Sequence, residues 1–194
     1  VANGRAPIMA GTMDISTERV IENGLAAKQA GAEAAVGTCP YYIRPSQGAI
    51  IDHFRMVKDA VGVPVVADDI PFAVQTKLST ATVMTLAREG TIVGIKDSSG
   101  DDGTFRAWLI EARTIPGFKA LTGCELSVDG MLMVGAAGAV RGLCNVDPHG
   151  YVNIWNLVNQ GDYAGAIAEQ DRLVKLFEII SVGDKSRLGF TAAA

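Results

Sequence analysis

Residues 91–100 read Thr-Ile-Val-Gly-Ile-Lys-Asp-Ser-Ser-Gly, and this stretch decides the fold class. Five uncharged residues lead into Lys96 and a small polar loop follows, which is typical of a buried strand that ends at Lys96. Side chains alternate along a strand, so Ile92, Gly94 and Lys96 share one face. Gly94 predicts open space below the Lys96 amine, enough for a ligand. Lys96 is therefore either an imine-forming residue at the mouth of an α/β fold or a lysine that leans into water.

Strands and helices alternate on both sides of this stretch. Helical spacing, with serine caps and terminal glycines, fills the segments between the strands. Such alternation predicts a parallel sheet built from βα units. It fits an open doubly wound sheet, or a (β/α)₈ barrel that lacks about two units, because a whole barrel takes about 250 residues and the chain has 194. The predicted strands are residues 7–12, 34–38, 63–69, 91–96, 119–122 and 139–144.

Composition argues against several kinds of partner and site. The net charge is -4 and Lys and Arg form no cluster, so neither nucleic acid nor a membrane surface is expected as a partner. No apolar run reaches transmembrane length and no signal-peptide pattern is present. Cys39, Cys124 and Cys144 are too widely spaced for a zinc site or a disulfide framework, so we expect reduced thiols in a cytoplasmic protein. His53 and His149 lack a ligand partner at useful spacing. No phosphate-binding glycine motif follows a strand.

Three short segments occur together in one order and spacing. Residues 39–47 read CPYYIRPSQ, residues 93–100 read VGIKDSSG, and residues 138–148 read GAVRGLCNVDP. They resemble, in turn, the Pro-Tyr-Tyr-x-x-Pro-Ser/Thr-Gln segment, the Schiff-base strand and the last barrel strand of the dihydrodipicolinate synthase / N-acetylneuraminate lyase family. The resemblance extends over essentially the whole chain, from Pro7 onward.

The resemblance implies an incomplete TIM (β/α)₈-type barrel. Residues 1–150 would hold the family's strands 3 to 8, and residues 151–194 would begin its C-terminal helical region. The first two βα units and the later C-terminal helices would be absent. The absent part would include the Gly-Thr/Ser-Thr-Gly-Glu loop that holds the carboxylate of the 2-oxo acid. We therefore expect this chain alone to expose strand edges and core.

The same resemblance implies imine chemistry at Lys96. Its neutral amine would attack the ketone carbon of pyruvate or a 2-keto-3-deoxy acid, and the resulting imine would accept electrons from a neighbouring bond. No metal or organic cofactor is required. Tyr42 is expected to assist catalysis and Tyr41 to bind substrate, because this pair lines the family's site and reaches a neighbouring subunit. The family's habit predicts a homo-oligomer, a tetramer. Alternatively, both tyrosines only pack.

Two positions depart from the family pattern. Asp68 stands where the family has its proton-shuttling tyrosine, and a carboxylate there could be a general base but would also favour the ammonium form of Lys96. Asp68 and Asp69 could instead be loop acids in water. Ala73 stands where dihydrodipicolinate-forming members place an arginine, so aspartate semialdehyde is a doubtful partner. A 2-keto-3-deoxy sugar-acid aldolase or dehydratase fits both departures better.

The last predicted strand contributes two further candidates for substrate binding. The resemblance places Val140 beside the methyl side of pyruvate. Arg141 could bind an acidic substrate, or it could face solvent at the strand end. The chain is thus predicted to be a Schiff-base lyase or aldolase that uses Lys96. The alternative is a non-catalytic, incomplete barrel that has lost the carboxylate-binding loop.

Overall fold

The computed structural model describes residues 3–181 of the chain. Six strands alternate with eight α-helices in this part of the protein. Residues 182–194, the end of the expected C-terminal helical region, lie outside the described residues. The strands are β1 (Met9–Gly11), β2 (Ala34–Gly37), β3 (Val65–Asp69), β4 (Gly94–Asp97), β5 (Lys119–Thr122) and β6 (Gly138–Ala139). The helices are α1 (Thr17–Gln29), α2 (Gln47–Val61), α3 (Pro71–Val74), α4 (Thr80–Arg88), α5 (Asp102–Ala112), α6 (Val128–Met133), α7 (Pro148–Gln160) and α8 (Tyr163–Phe177).

The sheet confirms the prediction of an incomplete (β/α)₈ barrel. Its strands follow one another in chain order, from β1 to β6, and the described pairings are parallel. A doubly wound sheet reverses its strand order at a switch point, and this sheet has no such reversal. The chain divides into two compact units, Val1–Ala120 and Leu121–Ala194.

The first unit shows why its helices begin and end where they do. The hydroxyls of Ser16, Ser46 and Ser79 each accept the backbone N–H three residues later, at the starts of α1, α2 and α4. Helix α2 ends at Gly62, which adopts the left-handed conformation. Strand β3 is buried at every residue, as expected for a strand covered on both faces. The largest core side chains here include Ile50, Phe54, Leu86, Ile95, Phe105 and Trp108.

The second unit is built around two long helices. Helix α7 starts at Asp147, whose carboxylate accepts the N–H of Gly150, with Pro148 in the first helical turn. Gly150 allows α7 to approach α8 closely, because a Cβ there would lie 2.8 Å from the side chain of Leu173. Strand β6 is shorter than predicted. The N–H of Gly142 donates to the Glu125 carboxylate instead of continuing the ladder, and residues 143–145 form a 3₁₀ turn.

Within residues 3–181, no helix has both the length and the apolar character that a membrane crossing needs.

Candidate active site

Lys96 and Asp68 form an ion pair at the carboxyl ends of two adjacent strands. They are register partners on β4 and β3, and Lys96 Nζ lies 2.9 Å from Asp68 Oδ2. The Lys96 side chain is 18% exposed and that of Asp68 is 4% exposed. Lys96 therefore does not lean freely into water, and Asp68 is a buried strand residue rather than a solvated loop acid. Both strands end at the edge where barrel enzymes place their chemistry.

Ser98 completes this group, and sequence reasoning missed it. Its hydroxyl donates to Asp68 Oδ1 at 2.9 Å, while Lys96 occupies the other carboxylate oxygen. Both oxygens of Asp68 are thus fixed by hydrogen bonds. The signal in the sequence was available, because Ser98 stands two residues after Lys96 and alternation keeps such residues on one side.

A second polar cluster involves the neighbouring residues of the same strands. Asp69 and Asp97 are also register partners, and both are buried. The ammonium of Lys77 donates to Asp69 and to Ser99 and lies 3.7 Å from Asp97 Oδ1. The N–H of Leu78 donates to the other oxygen of Asp69. Burial raises the pKa of Asp69, and these hydrogen bonds oppose that effect.

The expected space below the Lys96 amine is not there. A Cβ on Gly94 would lie 2.7 Å from the carbonyl oxygen of Lys119. Gly94 therefore permits the close approach of the backbone at the start of β5, and the expectation of an open ligand space at this residue is wrong. The strand also continues one residue beyond Lys96, to Asp97.

Tyr41 and Tyr42 follow β2 and are placed differently from each other. Tyr41 is partly buried. Tyr42 is 93% exposed and has φ of +82°, a left-handed backbone that is uncommon for a bulky residue. Among the described residues, no hydrogen bond joins either hydroxyl to Lys96 or Asp68. The structure thus places Tyr42 at the surface of the first unit.

Arg141 and Val140 belong to the second unit, directly after β6. Val140 is 38% exposed, whereas Arg141 is only 5% exposed, so the alternative of a solvent-facing arginine is wrong. None of the three guanidinium nitrogens has a hydrogen-bond partner among the described residues. Burial lowers the pKa of Arg141 to about 10, and Glu125 opposes this shift. A buried cation without hydrogen-bond partners is costly unless an anion comes to it.

Ala73 and His53 lie in helices of the first unit. Ala73 is in α3, and its side chain is a single methyl group. No cluster of three metal-ligating side chains occurs between residues 3 and 181. His53 is buried in α2, and its Nδ1 is hydrogen-bonded to the hydroxyl of Thr17 at 2.9 Å. It holds α2 against the start of α1.

Comparison with known sequences identifies close similarity to one family. The model of the dihydrodipicolinate synthetase family matches residues 1–188. The 4-hydroxy-tetrahydrodipicolinate synthase of Hyphomonas neptunium is 38% identical over 178 residues, which cover 91% of this chain and 60% of that protein. The enzyme of the same name from Nitrobacter hamburgensis is 34% identical over 179 residues, 92% of this chain and 60% of that protein.

Solved structures of similar proteins match the fold closely. YagE, a prophage protein of the dihydrodipicolinic acid synthase family from E. coli K12 in complex with pyruvate, superposes with a TM-score of 0.89 at 29% identity. The match covers 94% of this chain and 62% of YagE. The dihydrodipicolinate synthase of Acinetobacter baumannii, complexed with pyruvate, gives 0.85 at 29% identity, with the same coverage. The chain thus spans about three fifths of the length of these relatives.

Proposed function

The chain belongs to the dihydrodipicolinate synthetase family, and from that membership we propose that it is the part of a Schiff-base lyase that forms an imine between Lys96 and a 2-oxo acid. The observation that supports this most is the buried contact between Lys96 and Asp68 at the strand ends. It combines a nucleophile with a proton acceptor within hydrogen-bond reach. Pyruvate, present in the structures of two relatives, or a 2-keto-3-deoxy acid is the proposed substrate.

The geometry supports a balanced proton path for imine formation. Asp68 accepts one proton from the Lys96 ammonium, and the neutral amine then attacks the ketone carbon. As the carbinolamine forms, the ketone oxygen takes up a proton from solvent and the attacking nitrogen releases one to solvent. Asp68 returns its proton to the carbinolamine hydroxyl, which leaves as water. The product is a protonated imine on Lys96. Ser98 keeps the Asp68 carboxylate oriented throughout.

The type of reaction is proposed from the two positions, Asp68 and Ala73, at which this chain differs from the family pattern. Asp68 is a stronger base than a neutral tyrosine and suits removal of a proton or a hydroxyl group. Ala73 provides no cation for the carboxylate of aspartate semialdehyde. We therefore place the reaction among 2-keto-3-deoxy sugar-acid aldolases and dehydratases, although relatives are named 4-hydroxy-tetrahydrodipicolinate synthases.

Four further residues are assigned roles within this proposal. Tyr41 and Val140 are proposed to contact substrate, and Arg141 to bind an acidic group of it, since its buried guanidinium has no hydrogen-bond partner among the described residues. Tyr42 is proposed to assist catalysis. Its 93% exposure supports a place at the contact with a second copy of the chain in a homo-oligomer, because exposed aromatic residues are enriched at such contacts.

A second candidate function is a non-catalytic, incomplete barrel. In this alternative the chain, which spans 60% of the length of its curated relatives, only binds or packs. A barrel without its carboxylate-binding loop would have no means of fixing the 2-oxo acid for attack.

Reductive trapping separates the two candidates. The chain, and a version extended at its amino terminus with the upstream units of a relative, are each incubated with pyruvate and borohydride. Peptide mapping should find the added mass on the peptide that contains Lys96, and the Lys96→Arg variant should acquire none. Label on the extended version alone would make the chain a dependent part of an enzyme. Label on neither, or on Lys77 instead, would contradict the proposal.

A further inference from the structure

Successive residues at the end of β4 and in the polar loop after it contact two different clusters in turn. Lys96 and Ser98 both contact Asp68, whereas Asp97 and Ser99 both contact Lys77. This alternation follows from the two-residue period of a strand and its extension into the loop. The two clusters therefore lie on opposite sides of the same strand ends, back to back.

Lys77 is the cation of the second cluster, and three independent contacts fix it there. It donates to Asp69 and to Ser99 Oγ, the latter at 2.8 Å. Its ammonium also lies 4.7 Å from the ring centroid of Trp108 on α5, a cation–π contact. The Trp108 indole N–H in turn donates to Thr80 at the start of α4. A lysine held in this way occupies a fixed position relative to β3 and β4.

The charges at this edge explain why a fixed cation matters. Asp68, Asp69 and Asp97 are all buried carboxylates, each within two residues of Lys96 or of its register partner. Asp69 and Asp97 follow this pair by one residue on the same two strands, so without Lys77 their negative charges would act on the Lys96 ammonium uncompensated. In a medium of low dielectric constant, negative charges placed this close favour the ammonium and disfavour loss of its proton.

We propose that Lys77 is a positioning residue for the chemistry of Lys96: it neutralises Asp69 and Asp97, so that Lys96 exchanges its proton with Asp68 alone. The inference rests on the proposed function, since it assumes that the Lys96 amine must become neutral to react. Lys77 itself does not touch substrate in this scheme, because it lies on the other side of the strand ends.

Other titratable groups face the second cluster and define its charge. Asp101, the N-cap residue of α5, interacts with Lys77 and adds an exposed negative charge. Cys39, at the end of β2, faces Asp69, and burial together with that carboxylate raises the pKa of its thiol to about 11. Cys39 therefore stays neutral over the pH range in which imine formation is measured. The net charge of the second cluster is then determined by its aspartates and Lys77.

The test compares three variants in the trapping reaction at a series of pH values. Lys77→Met removes the charge, Lys77→Arg keeps it, and Lys58→Met removes an exposed lysine of α2 as a control. For Lys77→Met we expect the half-maximal pH of adduct formation to move up by about 0.5 to 1 unit, and the rate at pH 7 to fall roughly three- to tenfold. Lys77→Arg and Lys58→Met should keep the wild-type midpoint.

A second readout does not depend on activity. Titration of the Asp69 side-chain carboxyl carbon by NMR should show its pKa rising in Lys77→Met and staying near the wild-type value in Lys77→Arg. A Lys77→Met variant that loses rate equally at every pH, or whose Asp69 pKa does not rise, would overturn the proposal. Absence of any adduct on the extended wild-type protein would instead overturn the proposed function. The role of Lys77 in imine formation would then be overturned as well.

Discussion

Asp68 Oδ2 lies 2.9 Å from Lys96 Nζ, and the two residues are register partners on adjacent parallel strands. This contact has two opposed effects. The carboxylate attracts the ammonium and thereby disfavours the neutral amine, yet it is also a base that can remove the proton. Ser98 fixes the second carboxylate oxygen, so the group is held as a unit. The balance of the two effects can be measured by replacing the acid alone.

The Asp68→Asn variant should slow imine formation. The amide keeps the shape and can still contact Ser98, but it cannot accept a proton, so we expect trapping with pyruvate at pH 7 to be about 100-fold slower. Asp59→Asn, an exposed acid of α2, is the matched control and should react as wild type does. Faster labelling of Asp68→Asn would mean that the field of the carboxylate, rather than its basicity, dominates.

The sequence predicted the pair of Lys96 and Asp68 more readily than the groups around it. Lys96 and Asp68 each stand at the end of an apolar run, and parallel strands bring such ends together. Lys77 was missed because its contacts span a loop, and no periodicity relates it to Asp97. The open space expected below Lys96 was wrong because the neighbouring strand's backbone fills it at Gly94, a contact that depends on tertiary packing. Strand β6 was predicted too long because the Glu125 side chain caps it.

Replacement of Arg141 should stabilise the protein. Its guanidinium is buried without a hydrogen-bond partner among the described residues, and burial lowers its pKa to about 10. Arg141→Met keeps the stem and removes the charge, so we expect the free energy of unfolding in urea to rise by about 1 to 3 kcal/mol. If Arg141 also binds an acidic group of the substrate, KM should rise for a substrate with a second carboxylate and stay unchanged for pyruvate.

The control for Arg141 is a paired arginine of the same unit. Arg172 donates to Asp147 and to Glu169, both at 2.6 Å, and is largely exposed. Arg172→Met should therefore change the free energy of unfolding less than Arg141→Met does, and in the destabilising direction. A loss of stability in Arg141→Met as well would show that the buried guanidinium has an anionic partner in solution.

Stability should fall in mild acid because of His53. Burial lowers its pKa to about 4, against about 6.5 for an unfolded histidine. Above pH 6.5 neither state binds the proton, so the histidine has no effect there. Between about pH 6.5 and 4 the unfolded chain binds it and the folded chain does not, which lowers the free energy of unfolding by about 3 kcal/mol. Urea unfolding across this range measures the loss.

The His53→Gln variant isolates this contribution. It should flatten the pH dependence between about 6.5 and 4, whereas replacement of the exposed His149 by Gln should leave it unchanged. Equal pH slopes in wild type and His53→Gln would show that His53 is not the source of the acid sensitivity.

Among the glycines near Lys96, we expect Gly94 to tolerate substitution least. A Cβ at this position would lie 2.7 Å from the Lys119 carbonyl oxygen, and backbone cannot move aside as a side-chain end can. Gly94→Ala must therefore push the start of β5 away from β4, and we expect a loss of about 2 kcal/mol in the free energy of unfolding. Because Lys96 follows two residues later on the same face, adduct formation should slow as well.

Gly48→Ala provides the comparison, since it adds the same methyl group at an open position. Gly48 lies in the first turn of α2, where a Cβ meets nothing closer than the Ser46 hydroxyl at 3.9 Å. Alanine there should be neutral or stabilising by up to about 1 kcal/mol, because it restricts the unfolded chain and favours the helix. If Gly94→Ala is tolerated equally well, the β4–β5 backbone contact is looser in solution, and a ligand could enter below Lys96 after all.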